Sequence, residues 1–268
     1  MADDSASPVH QKSADSVATS QDAADEPGAR GPARKTAGKA ATLRARVRAE
    51  MTEEIKQTAR RHLAAEGAPN LSLRAVARDV GMVSSAVYRY FASRDDLLTA
   101  LIMDAYNALG ETIEAAERAV DRSDLVGRFN AACHAVRAWA LANPHEYALT
   151  YGSPVPGYVA PDETIGPASR VPAVLLGIVA DGVGAGIVRP APGDWLSPPV
   201  QREMARVAAH TYPGISPIVM ARAMFTWSSL FGAINFEVFG RMNVIIEDKD
   251  VWFEHEVLIM ARLVGLRP

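Results

Sequence analysis

The stretch 71–98, LSLRAVARDVGMVSSAVYRYFASRDDLL, constrains the fold more than any other part of the chain. Leu73, Val76, Ala77 and Val80 recur three and four residues apart, which sets them on one face of a short helix. Ser72 stands just before that run, where its hydroxyl can accept from a free backbone N–H. Gly81 follows the run, where a residue without Cβ most easily takes a left-handed backbone. A second short helix, from about Val83 to Phe91, has Ala86, Val87, Tyr90 and Phe91 on its buried side. Ser84, Ser85, Tyr88 and Arg89 then face outward. Ser93 and Asp96 make a capping box at the head of a third helix, whose core face is Leu97, Leu98, Leu101 and Ile102. Two short helices, a glycine turn and an outward face of hydroxyls, one aromatic and one cation form a helix-turn-helix pattern.

In its order of features, the segment from about Met51 to Ala105 resembles the DNA-binding domain of the tetracycline-repressor (TetR) family of one-component bacterial regulators. The features are a helix ending ARRHLAAEGAPN, then LSLRAVARDVGM, then AVYRYF, then SRDDLL opening a long helix. The resemblance implies an all-α fold. A three-helix DNA-binding head over about 43–105 would sit on a helical-bundle ligand and dimerisation domain over 106–268.

Composition limits what else the chain can be. Its net charge of −3 makes it no generic polycation, so any DNA-binding surface must be local. The only cysteine is Cys133, which rules out an intramolecular disulfide framework. Its place on an apolar helix reads as a buried core thiol rather than a redox sensor. No apolar run reaches the ~18 residues needed to cross a membrane, and the polar, acidic N-terminus is unlike a secretory signal. Both point to the cytoplasm.

Residues 1–40 are rich in Ala, Ser, Asp, Gly and Pro and are expected to be a disordered tail. Acidic residues dominate 1–29. Residues 30–48 carry seven cations, Arg44 and Arg46 among them, and no acid. Such an arm before a helix-turn-helix either follows phosphates or reaches a minor groove, or it is a solvated tail. A helix is expected from about Leu43 to Glu66, a long one from Arg94 to about Arg118, and another over about 124–143. In YGSPVPGYVAPDE, residues 151–163, Pro154, Pro156, Gly157 and Pro161 exclude regular helix. This span is a surface loop pinned by two tyrosines, or the wall of a small-molecule cavity. The GVGAG run at 182–186 follows a helix and lacks a Gly-Lys-Ser/Thr, so it is no nucleotide loop. Over 217–240, Met220, Met224, Trp227, Phe231, Ile234 and Val238 repeat at 4-3-4-3-4 spacing, beside a small-residue stripe of Ala221, Ser228 and Gly232. Phe253, Val257, Met260 and Val264 make a second seam over 250–264. The seams are either internal core or a homodimer face. The resemblance implies the dimer.

The body is also similar to the branch of the family with a WHG-type C-terminal domain. The matching residues are YGSPVPGYVAP, and Trp227 followed by Gly232, with Phe231 where that branch has histidine.

In the helix-turn-helix mode the second helix enters the major groove. Val83, Ser84, Ser85 and Arg89 are then candidates for base edges or phosphates. Tyr88 is a phosphate donor by resemblance. Ser72 and Arg94 are expected to clamp phosphates at helix starts, with Arg44 and Arg46 adding contacts from the arm. Phe129, Trp139, Tyr147, Tyr151, Trp227 and Phe231 are candidates for a cavity taking an apolar or aromatic effector. The implied partner is a palindromic double-stranded operator, read by two heads ~34–36 Å apart and released by that effector. Two other readings stay open: a ligand-independent nucleoid protein, and a small-molecule-binding enzyme. The second is disfavoured, because the six histidines show no metal spacing and no catalytic or cofactor motif occurs.

Overall fold

The computed structural model describes residues 33–267, with side chains from Thr42 onward. The expected disorder of residues 1–32 lies outside that range. The described residues divide into two units, with the boundary between Val47 and Arg48. Among the described residues the regular structure is helical throughout. Helix α1 is Ala33–Glu66, α2 Leu73–Asp79, α3 Ser84–Val87, α4 Arg94–Arg118 and α5 Leu125–Ala142. Then follow α6 Pro144–Tyr151, α7 Ile165–Gly184, α8 Pro198–Thr211, α9 Pro217–Val238 and α10 Lys249–Val264.

Two boundaries differ from expectation. Helix α1 begins at Ala33, not near Leu43, so residues 33–40 are helical rather than a disordered tail. Ala, Arg and Lys dominate this stretch, and past Pro32 only Gly38 opposes the helix. Helix α3 ends at Val87, with Tyr88–Tyr90 in tight turns. The N–H groups of Arg89 and Tyr90 reach back three residues, to Ala86 and Val87, which tightens the chain and brings Phe91 into the core.

The second unit holds two hydrophobic cores. One is the head's, built from Ile55, Leu63, Leu73, Val76, Val87, Leu97 and Leu98 with their neighbours. The other lies among α4, α5, α7, α9 and α10. Helix α4 contributes to both, its first two turns to the head and Leu109 and Ile113 to the body.

In the body, long-range ion pairs tie the helices together. Arg128 of α5, 1% exposed, bonds Glu117 of α4 through Nε at 2.6 Å and lies 2.8 Å from Asp181 of α7. Arg137 of α5 makes a two-pronged bond to Glu237 of α9 at 2.6 and 2.7 Å. Arg170 of α7 bonds Glu114 of α4 at 2.8 and 2.9 Å, lying across Gly110. A Cβ at Gly110 would stand 2.5 Å from the Arg170 Nε.

The seams of α9 and α10 face inward. Met220, Phe231 and Ile234 are buried, as are Phe253, Val257, Met260 and Val264. The open side of α9 carries Phe225 and Phe236, 63% and 51% exposed, and a Cβ at Gly232 would meet nothing. On α10 the exposed apolar residues are Val251, Trp252, Leu258, Ile259 and Leu263. At 22 residues, and against the sequence expectation, α9 is long and apolar enough by length and composition to cross a membrane. Its place among α5, α7, α8 and α10 accounts for that apolarity. Cys133 is fully buried, and burial pushes its thiol pKa up.

Candidate nucleic-acid interface and effector cavity

Local hydrogen bonds set the turn between α2 and α3. The Ser72 hydroxyl accepts from the Ala75 N–H and caps α2. At the other end Gly81 has φ +77°, its N–H donating to Arg78 O while Met82 N–H donates to Ala77 O. This Schellman closure needs the left-handed residue that glycine supplies. The capping box at Ser93 and Asp96 forms with both bonds at 3.0 Å and starts α4.

Val83, Ser84, Ser85, Tyr88 and Arg89 are thereby brought together on one exposed surface. Val83 is 72% and Tyr88 46% exposed. Behind them, Arg48 donates to the Arg89 carbonyl at 2.7 Å and lies over the Tyr90 ring, 5.3 Å from its centroid. Arg48 was legible only as one cation of the basic arm. The contact spans 41 positions, and no spacing rule reaches that far. His62 ties α1 to α2 through Asp79 at 2.8 Å.

Arg94 departs from expectation. Its guanidinium donates to the carbonyls of Leu71, Ala68 and Pro69 and to Asp95, which takes up four of its five N–H groups. Arg94 therefore holds the α1–α2 loop rather than standing ready as a phosphate clamp. Arg44 and Arg46 are exposed on the part of α1 within the first unit, whereas the surface described here is built from the second.

Of the predicted effector residues, Tyr147, Tyr151, Trp227 and Phe231 meet in one aromatic cluster. Tyr151 stacks on Phe231 with centroids 4.2 Å apart, and Tyr147 on Phe231 at 6.5 Å. Among the cavities beside this cluster, two share part of their walls. The smaller, about 220 Å³, is lined by Phe129, Leu175, Val179, Met224, Thr226 and Trp227 among others, and is almost wholly apolar. The wider, about 710 Å³, is bounded by Ile102 and Tyr106 of α4, residues 149–155 and Tyr158. Pro172 and Trp227 line both. The Trp227 Nε1, Thr226 Oγ1 and Tyr147 hydroxyl are buried without a hydrogen-bond partner. Each such group costs about 1–3 kcal/mol unless a partner is supplied.

Phe129, Tyr151 and Trp227 line these cavities, whereas Tyr147, Phe231 and Trp139 line neither, Tyr147 and Phe231 standing behind Tyr151 and Trp139 packing half-buried against the body core. Tyr106 escaped the sequence reading, yet its ring meets Tyr151 edge-on at 5.7 Å and its hydroxyl donates to Thr150 O. Burial raises its phenol pKa and keeps it neutral. Its place on α4 looked like ordinary core spacing.

A helix-turn-helix surface on an all-helical body with an internal apolar cavity defines a class: DNA-binding regulators built as one chain. The comparisons narrow this. The family model for bacterial regulatory proteins of the tetR family matches residues 55–101. The model described as tetracyclin repressor-like C-terminal domain matches 129–260, across the stretch that resembles the WHG type. An HTH-type transcriptional regulator of Mycobacterium tuberculosis is 38% identical over 221 residues, 81% of this chain and 94% of that protein, and one from Mycobacterium bovis matches equally. The crystal structure of regulatory protein SCO4313 is 33% identical, covers 81% of this chain and 97% of its own, and superposes with a TM-score of 0.66. A tetR-family regulatory protein from Rhodococcus RHA1, 18% identical, shares the fold with a TM-score of 0.56 over 81% of this chain and 98% of its own. This chain belongs to the tetracycline-repressor family and is a DNA-binding transcriptional regulator, not an enzyme.

Proposed function

We propose that the chain is a cytoplasmic repressor that binds a palindromic operator as a homodimer and leaves it when a small apolar or aromatic molecule enters the body. The observation that carries this reading is the exposed Val83–Arg89 surface, in which two hydroxyls, a phenol and a guanidinium stand together on a turn fixed from both ends. Ser84, Ser85 and Arg89 read base edges, Val83 touches a thymine methyl, and Tyr88 and Ser72 hold phosphates. The family acts on DNA as dimers. Here the exposed apolar sides of α9 and α10 supply the contact, with Phe225, Phe236, Ile259 and Leu263 in it and Gly232 allowing close approach.

The effector enters the paired cavities. Apolar walls select an apolar body, and the unpartnered Trp227 N–H and Thr226 hydroxyl favour a molecule with a hydrogen-bond acceptor.

Purified protein titrated into promoter DNA from its own genomic neighbourhood, at two salt concentrations, tests the reading. The wild type should bind one short palindrome, and Tyr88→Ala and Arg89→Ala should each weaken it by roughly ten- to a hundredfold. Equal affinity for every sequence would favour a nucleoid protein. No binding to any DNA would overturn the proposal.

A further inference from the structure

The segment between α6 and α7 serves two regions at once. Val155-Pro156-Gly157-Tyr158 is a tight turn, closed by the Tyr158 N–H on Val155 O at 3.1 Å with Gly157 at φ +79°. Proline followed by a left-handed glycine is the type II pattern, which fixes the turn without help from neighbours. Val155 and Tyr158, at its two ends, pack against the head's hydrophobic core, as does Leu149 of α6. The Tyr158 hydroxyl lies 2.9 Å from the hydroxyl of Thr99, a residue of α4 that is 7% exposed. Leu149, Val155 and Tyr158, with Gly152, Ser153, Pro154 and Ala160, also wall the wider cavity. Tyr158 therefore touches the DNA-binding head on one side and the cavity on the other.

Resting on the repressor reading above, we propose that Tyr158 is a positioning residue for operator binding, and that an effector in the wider cavity acts by displacing it. Tyr158 meets no DNA. Through Thr99 and the head core it holds the head in one pose on the body. A dimer reading two half-sites needs both heads at a fixed separation. A head freed from this strap must be ordered again on binding, and that ordering lowers affinity. A ligand seated against the strap competes for the Tyr158 hydroxyl and its packing surface. It thus has the differential affinity for two head states that any switch requires.

The test uses full-length protein on the operator that the promoter titration identifies, comparing wild type with Tyr158→Phe, Thr99→Val, the double variant and Val155→Ala. Affinity is measured across salt concentrations, and again on operators with the half-site spacing changed by one base pair either way. Tyr158→Phe and Thr99→Val should each weaken binding by about fivefold, the effect of one neutral hydrogen bond. The double variant should be no weaker than the singles, because both remove the same bond. The salt slope should stay at the wild-type value, since no phosphate contact is lost. Discrimination between spacings should shrink in all four variants, which a general loss of stability would not produce. Binding within twofold of wild type with spacing preference intact, or effects that simply add, would overturn the assignment. Should Tyr158→Phe fail to fold, Thr99→Val and Val155→Ala carry the same comparison. If the wild type binds no operator, the repressor reading falls; if only the variants match it, only the role of Tyr158 falls.

Discussion

The head and the body are both packed helices, but they are held over different distances along the chain. In the head the Ser72 and Ser93 caps reach three residues, and the Gly81 closure three to five. In the body the bond from Arg170 to Glu114 spans 56 positions and that from Arg137 to Glu237 spans 100. The helix starts and the turn of the DNA-facing surface are set by rules that neighbouring residues can satisfy alone, with Arg48 and Arg94 adding ties from farther along the chain. A domain that must admit a ligand depends on pairings between distant helices, which can be altered one at a time.

The largest test of that contrast is Arg128. It sits almost wholly enclosed between Glu117 and Asp181, so Arg128→Met leaves both carboxylates with only the exposed Arg122 as a cationic partner. Breaking a buried pair from one side costs about 3–5 kcal/mol. Urea unfolding should show a loss of that size, and a loss below ~1 kcal/mol would mean that the body does not rest on this link. Arg94 could break the contrast from the other side, because it is a long-range tie inside the head. Arg94→Ala removes charged donors from three loop carbonyls. It should cost about 2 kcal/mol in the same measurement and weaken DNA binding only through that loss. An unchanged midpoint, together with a lower salt slope for DNA binding, would return Arg94 to the phosphate contacts.

The smallest effect concerns pH. The Arg170 guanidinium beside Glu114 holds its carboxyl below the ordinary value of 4.5. A carboxylate lowered in the folded state stabilises fully above its unfolded value, and the benefit fades as pH falls through the lower, folded one. Glu114→Gln should therefore melt slightly below wild type near neutral pH, by less than about 1 kcal/mol for a partly exposed pair. The two proteins should converge in acid below 4.5. A gap that persists in acid would mean that Glu114 acts through shape rather than charge.

The same difference in distance explains what could be read beforehand. Ser72, Gly81 and the Ser93–Asp96 box were legible because each depends on residues within a few positions. Helix α9 was legible as a helix, but its facing was not. Met220–Val238 and the Ala221, Phe225, Gly232 side are both plausible interior faces, and only the packing of α5, α7, α8 and α10 decides between them. Arg94 looked like a helix-start cation because its carbonyl partners lie 23 or more positions away. Trp139 shared the periodicity of the aromatic cluster without its location. The short α3 reflects the pull of the core on Phe91, a tertiary effect that outweighs helix spacing.

The Arg170 side chain lying across Gly110 has a consequence for how such a chain changes over generations. Any side chain at 110 would collide with the guanidinium, and any residue at 170 much shorter than arginine would leave a groove above a bare glycine. The two positions are free to vary only as a pair. Among descendants of this chain, a residue larger than glycine at 110 should occur only where α7 has also moved outward, because the Cβ of residue 170, which every replacement for arginine except glycine keeps, would itself stand 2.9 Å from the new Cβ.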